Sequence, residues 1–288
     1  MIFLYVLIGH VIFNLKFNYS LICNLMASSV IFISHGAGAS PFFKGSGHEK
    51  MVSCLRQMTE CLIRPKAIIV ISAHWEATQA TIGSGAHPEL IYDYTGFPEA
   101  AYQIKYPAPG NPKLAKRVFD LLEVAGIKAK LDSERGFDHG MFVPLKIMYP
   151  NANIPCIEVS LIKSLDAQAH IKLGKALASL KDEDVVILGS GFSFHNMRAF
   201  LTTPTHSSQA RNLAFETWLN DTLTSTSCTE AQREKLLTQW EKVPAARYCH
   251  PREEHLLPLH VCYGAAGTPA KQVFSFDILS KMVSCFLW

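Results

Sequence analysis

The chain contains no CxxC pair, no HExxH, no GxSxG, no GxxxxGK[ST] and no GxGxxG after its first strand-like run. Zincin, serine-hydrolase, P-loop and dinucleotide-dehydrogenase chemistries each lean on one of these patterns, so the absences count against all four. "HGAGASP" (35–41) is glycine-rich and follows a strand, yet it lacks the lysine and the spacing of a phosphate loop. Charge of one sign is missing as well. Lys and Arg number 27 against 24 Asp and Glu, for a net charge of +3. Because the basic residues are scattered, the sequence offers no footprint for nucleic acid or an anionic membrane, and the expected partner is a small molecule or a protein. The eight cysteines form no regular framework, so reduced thiols in a cytoplasmic protein are expected. There is no internal repeat, low-complexity tract or evident linker, and 288 residues suffice for one full core.

Long apolar runs are confined to the start of the chain. Residues 1–25 are apolar from the second residue, but they carry no basic n-region and no small-x-small cleavage site. Asn14, Lys16 and Asn18 break the run short of the roughly 20 apolar residues that a spanning helix needs. The expectation is an extension outside the fold over 1–25 and a domain over 26–288, with a membrane anchor or signal as the rival reading. Met26 precedes "ASSVIFISHGAG", which reads as the opening strand of a domain.

From there strands and helices alternate. Strands are expected at 30–33, 66–75, 79–85, 127–132, 154–161 and 184–191, and two more near the end at 272–276 and 281–288. Helices are expected at 48–63, from Asn111 and Pro112 to Gly126, over 139–149, 166–180, 209–223 and 229–240, and from about Pro251 to Ala266. This order predicts a single α/β domain with a mainly parallel central sheet and helices on both faces.

Three strands end alike: "IFISHG" delivers His35, "VISAHW" delivers His74, and "VILGSGFSFHN" delivers His195 a few residues on. Carboxyl ends of parallel strands share one edge, where open α/β sheets bind ligands. One such histidine is most simply a hydrogen-bonded loop residue, but three at equivalent places predict a shared pocket and a nitrogen-rich metal site. "FDHGMFVPL" adds Asp138 and His139, the carboxylate as an orienter of the imidazole or as a helix cap. "HPREEHLLPLH" crowds His250, Glu253, Glu254, His255 and His260 together. His255, Glu253 and Glu254 are candidate third ligands, with the glutamates alternatively serving the first turn of a helix. Trp75, Phe42, Phe43, Phe142 and Phe194 are candidate pocket walls or plain core.

Taken together, "FISHGAGASPFF", "ISAHWE", "GFDHGMFVPLKIMYP", "GSGFSFHNM" and "REEHLLPLHVCYGAAG", in this order, resemble the class III extradiol ring-cleavage dioxygenases of the protocatechuate 4,5-dioxygenase superfamily, and most of all the 4,5-DOPA dioxygenase-like subgroup. The resemblance covers residues 29 to about 287. It implies a non-haem metal enzyme that inserts both atoms of O2 into a DOPA-like catechol with ring opening. It further implies Fe(2+) as the metal of activity, with Zn(2+) able to occupy the same place. His35, His74 and His255 match metal ligands. His195 matches an acid/base position that is also a possible fourth ligand, and His139 a second active-site histidine. Glu254 stays a rival to His255, because better-known superfamily members use a glutamate there. Other classes that suit the same residues are a zinc-dependent hydrolase and a non-enzymatic binding protein on the same fold. Oxygen uptake separates the first reading from both. Oligomeric state and the choice of catechol are not written in these motifs.

Overall fold

β-Branched runs become strands here because they are buried on both faces, as parallel sheets require. The computed structural model describes residues 29–288; the expected extension over 1–25 lies outside the described residues. Eight strands form one sheet: β1 (Val30–Ser34), β2 (Ala67–Ala77), β3 (Ala80–Gly83), β4 (Ala129–Asp132), β5 (Cys156–Ile162), β6 (Val185–Gly191), β7 (Gln272–Ile278) and β8 (Lys281–Leu287). Their order is β4-β3-β5-β2-β6-β1-β8-β7. The centre, β5-β2-β6-β1, is parallel throughout. Antiparallel pairing enters at β3–β5 and at the terminal β7–β8 hairpin, which joins β1 through β8.

The helices are α1 (Glu49–Thr59), α2 (Pro112–Val124), α3 (His139–Met148), α4 (Ala167–Leu177), α5 (Met197–Phe200), α6 (His206–Thr224), α7 (Glu230–Thr238), α8 (Ala246–Cys249) and α9 (Leu257–Ala266). They cover both faces of the sheet. α9 lies on β1, β2 and β6 and against α4, while α1 and α3 pack together and α6 covers β8. α3 and α9 are apolar nearly all round and correspondingly buried. Helix starts follow the expected capping chemistry: Asn111 accepts from the Leu114 amide, Asp166 from Ala169, and Thr205 and Thr229 form reciprocal capping boxes.

Two expectations change. β2 runs past His74 to Ala77, so that histidine is not beyond the strand's end. The last long helix begins at Leu257 rather than near Pro251. Backbone groups before it are already engaged: the His255 carbonyl accepts the Phe192 amide at 2.9 Å, and the Glu253 carbonyl accepts Leu256 and Leu257. Glu253 and Glu254 are therefore not first-turn helix residues. Cys54, Cys156, Cys228, Cys249, Cys262 and Cys285 are free thiols, whereas Cys61 is disulfide-bonded, which departs from the expectation of reduced thiols. Among the described residues no helix is long and apolar enough to cross a membrane.

Candidate functional site

β2 carries His74 to the site by breaking its own pairing. Ser72 pairs with Ser160 of β5 and Glu76 with Leu161, so residues 73–75 face no partner on that side. A bulge of this kind bends the strand and re-aims a side chain. Ser72 supports it from below: its Oγ accepts the His74 amide at 3.2 Å and donates to Asp138 Oδ1 at 2.8 Å.

His35 leaves β1 with its amide bonded to the Gly191 carbonyl at 3.0 Å. Its Nδ1 lies 2.9 Å from Ser190 Oγ, and the Ser190 hydroxyl donates to the Gly140 carbonyl. With its one proton committed, Ser190 can only accept from His35, so Nδ1 carries the hydrogen and Nε2 presents a lone pair. That Nε2 stands 3.1 Å from His74 Nε2.

His255 reaches the same point from the loop before α9. A side chain at Gly191 would collide with the His255 carbonyl, so the glycine at the end of β6 is what lets this loop settle on the strand. His255 Nδ1 donates to Glu254 Oε1 at 3.0 Å, again leaving Nε2 as the free nitrogen. The same Oε1 lies 3.2 Å from Nδ1 of His195, whose ring stacks on His255 at 3.4 Å between centroids. Arg252 fastens the loop from outside, with two contacts to Glu76 at 2.5 and 2.7 Å and one to Glu254 Oε2 at 3.3 Å.

His139, at the start of α3, packs on His74 with ring centroids 3.9 Å apart. Its backbone amide and its Nδ1 both meet Asp93 Oδ1, at 3.0 and 2.8 Å, and Asp93 Oδ2 lies 3.8 Å from His74 Nδ1. Asp93 therefore holds the His139 ring, which is the task the sequence reading gave to Asp138. The Asp138 side chain instead takes Ser72 and, at 2.9 Å, Arg135, and it caps nothing.

Electrostatics follow from this packing. Burial and the neighbouring imidazoles press His35 and His255 well below their ordinary value, and burial with His139 brings His74 down to about 4. All three are neutral near pH 7, which is the form that binds a cation. Burial would raise the carboxylates, yet hydrogen bonds from His195 and His255 hold Glu254 far below the usual range, and the contact with His139 holds Asp93 at about 2.

The ligand atoms of His35, His74 and His255 all lie within 4.8 Å of one another. Two nitrogens each roughly 2.1 Å from one ion and at about a right angle stand about 3 Å apart, which is the His35–His74 spacing. The His35 Nε2 lone pair faces this gap, where a bound cation would take it. The donor set thus fits a bound metal. The groups His74–Asp93–His139 and His195–Glu254–His255 adjoin it and share its histidines.

A cavity of about 380 Å³ opens onto this cluster, lined by His35, His74, His139, His195 and His255. Every histidine singled out at strand ends and in "DHG" and "EEH" meets here. Glu253 does not, being paired with Arg247 at 2.6 Å, and His250 and His260 bond backbone carbonyls in the core. None of the five expected wall aromatics lines the cavity; Tyr94, Phe97, Phe192 and Phe200 do. Trp75 instead carries the Arg135 guanidinium, and Phe142 and Phe194 are core. Asp93 was missed because "IYDYTGF" has no periodic signal, although an isolated acid between two tyrosines is a hint.

Comparison with known proteins bears on this geometry. Residues 29–286 match the family described as catalytic LigB subunit of aromatic ring-opening dioxygenase. A 4,5-DOPA dioxygenase extradiol of Beta vulgaris is 42% identical, covering 83% of this chain and 87% of its own. The dioxygenase tasH of Hapsidospora irregularis is 37% identical over 90% of this chain and 85% of its own. Among solved structures, an uncharacterized protein of Escherichia coli K12 superposes with a TM-score of 0.71 at 28% identity, covering 90% of this chain and 98% of that one. With its family match spanning nearly all described residues, the chain belongs to the LigB catalytic-subunit family of extradiol, aromatic ring-opening dioxygenases.

Proposed function

We propose that the catalytic domain, taken as residues 26–288, opens the ring of a catechol with both atoms of O2, using ferrous iron held by His35, His74 and His255. Catechol is the class to which the DOPA in the relatives' names belongs. The observation that carries this reading is the convergence of three neutral imidazoles at the floor of one cavity. Zinc would fit the same nitrogens, so metal identity in a purified sample decides nothing about the reaction. Bound iron supplies the path for electrons between catechol and dioxygen.

The residues of the chain do the rest. Glu254 acts as orienter of His255 and His195 rather than as a ligand, since its Oε1 is occupied by both Nδ1 atoms. His195, with Nδ1 toward Glu254, keeps Nε2 free to take a catechol proton and later return it. The imidazolium so formed faces a carboxylate at 3.2 Å, which stabilises it. His139 on Asp93 is the same device on the other side of the cluster and assists from there. Asp138 supports the bulge through Ser72. A cytoplasmic setting rests on the six free thiols among the described residues, with Cys61 the exception.

Anaerobic reconstitution with ferrous iron, followed by catechols in air, tests the proposal. Oxygen uptake with a yellow product, lost in His195→Ala, is expected. Iron bound at full stoichiometry with no uptake from any catechol would refute it and favour a hydrolase or a binding protein.

A further inference from the structure

The cavity has two ends of opposite character. Its floor is imidazole; its mouth is Phe97, Met197, Phe200, Leu201 and Leu279, with buried Ile278 behind them. Met197, Leu201 and Leu279 are 52%, 83% and 46% exposed, so half of the six strongly exposed large apolar side chains among the described residues gather on one rim. Exposed apolar residues ordinarily scatter singly, and a cluster at a cavity mouth marks a binding surface. Leu279 has a second peculiarity. It sits with Ser280 at the tip of the β7–β8 hairpin, both at positive φ (48° and 63°), where Asn-Gly is the favoured pair. A leucine in the left-handed region is strained, and such strain is retained where the side chain has a use. Here that side chain covers Gly47 and faces the cavity.

Among the described residues no lysine or arginine lines the cavity. Arg198, beside Met197, is exposed and outside the lining, and Lys281, beside the hairpin tip, is buried and outside it too. Arg135 is committed to Asp138 and Arg252 to Glu76. A carboxylate brought into this mouth would lose water and gain no cation. Resting on the dioxygenase reading above, the geometry points to a catechol with an uncharged, apolar substituent as the substrate, its diol on the histidine floor and its substituent across Met197, Leu201 and Leu279. Zwitterionic amino-acid catechols are then the poorer ligands.

The test is anaerobic calorimetric binding of 4-pentylcatechol, 4-methylcatechol and 3,4-dihydroxyphenylalanine to iron-loaded protein, repeated on Leu201→Ser and on Leu201→Ser/Leu279→Ser. Pentylcatechol is expected to bind at least about tenfold more tightly than the amino acid, since several methylenes leave water on the rim. The double variant should lose most of that advantage while methylcatechol changes less than about twofold. Leu201 is exposed enough that its single variant folds whatever the second site does, and it should show part of the loss. An amino-acid catechol that binds as tightly as pentylcatechol, or an advantage untouched in both variants, overturns the inference and leaves the dioxygenase reading standing. Failure of all three catechols to bind protein of verified iron content overturns both.

Discussion

Asp93 and Glu254 at the histidine cluster and Glu158 and Glu216 in the core are carboxyls driven in opposite directions. The first pair is held low by imidazole partners. The second pair is pushed up by burial: Glu158 well above its ordinary range, with the Asp138 carboxylate adding to the effect, and Glu216 to about 7. Among the described residues both oxygens of Glu158 and Oε1 of Glu216 have no hydrogen-bond partner, and Ser284 donates to the other Glu216 oxygen at 2.7 Å. The difference teaches that depth and partners act together here: Glu158 and Glu216 are wholly buried with orphaned oxygens, whereas Asp93 reaches solvent and Glu254 is part-buried, each against imidazoles. Carboxylates kept charged inside a cluster of bases are suited to stabilising a transient imidazolium, whereas the core carboxyls are structural and a burden at high pH.

The largest expected effect breaks the first pair. Glu254→Ala removes the acceptor of two imidazoles at once, so ring-opening kcat should fall about 10²–10⁴-fold and metal affinity about 10–100-fold. Steady-state oxygen uptake and a metal titration check this, and unchanged kinetics would mean that the carboxylate has no role in the site. Asp93→Asn should separate the two functions. It releases the His139 ring, so kcat should fall about 10–100-fold with smaller loss of metal, because Asp93 is 3.8 Å from His74 and does not touch His35 or His255.

Glu216→Gln sharpens the comparison through stability. The folded carboxyl titrates near 7 against an ordinary 4.5, so between those values the folded state binds more protons than the unfolded one, and stability falls as pH rises through that window. The glutamine variant lacks this loss. Its advantage over the parent should be absent below pH 4.5 and level above pH 7, at no more than about 3 kcal/mol by the worth of a pKa unit. Urea midpoints at pH 5 and pH 8 measure it, and an equal difference at both would show that Glu216 does not titrate there. The smallest effect is Arg252→Met. Its ion pairs are half-exposed, so the global stability change should stay within about 1 kcal/mol, and a Tm shift far beyond that would make the clamp more than a loop fastening.

How far this was readable from the chain varies by element. Strand runs such as "VIFIS" and "VVILGSG" and helix starts such as Asn111-Pro112 announced themselves, because β-branched burial and capping are local chemistry. The five site histidines were named from motifs that end strands or open helices. Asp93, Ser190 and the Glu76–Arg252 clamp were not legible. Each acts on a residue 46 or more positions away, and no periodicity links such partners. The walls stayed open between cavity and core for a similar reason: a phenylalanine in a strand–loop sequence carries no mark that says which, and only packing sent Phe192 and Phe200 one way and Phe142 and Phe194 the other.

By itself the sequence determined that this chain would form a mainly parallel α/β sheet with histidines at its carboxyl edge, because hydrophobic period, turn residues and strand-end motifs are properties of short stretches. Tertiary structure alone decided that His74 is aimed by a bulge, that Glu254 serves His195 and His255 together, that Asp93 and not Asp138 holds His139, and that the cavity has an apolar mouth. Those outcomes depend on which distant backbone groups and side chains meet across the sheet, and such meetings are fixed by packing rather than by neighbours along the chain.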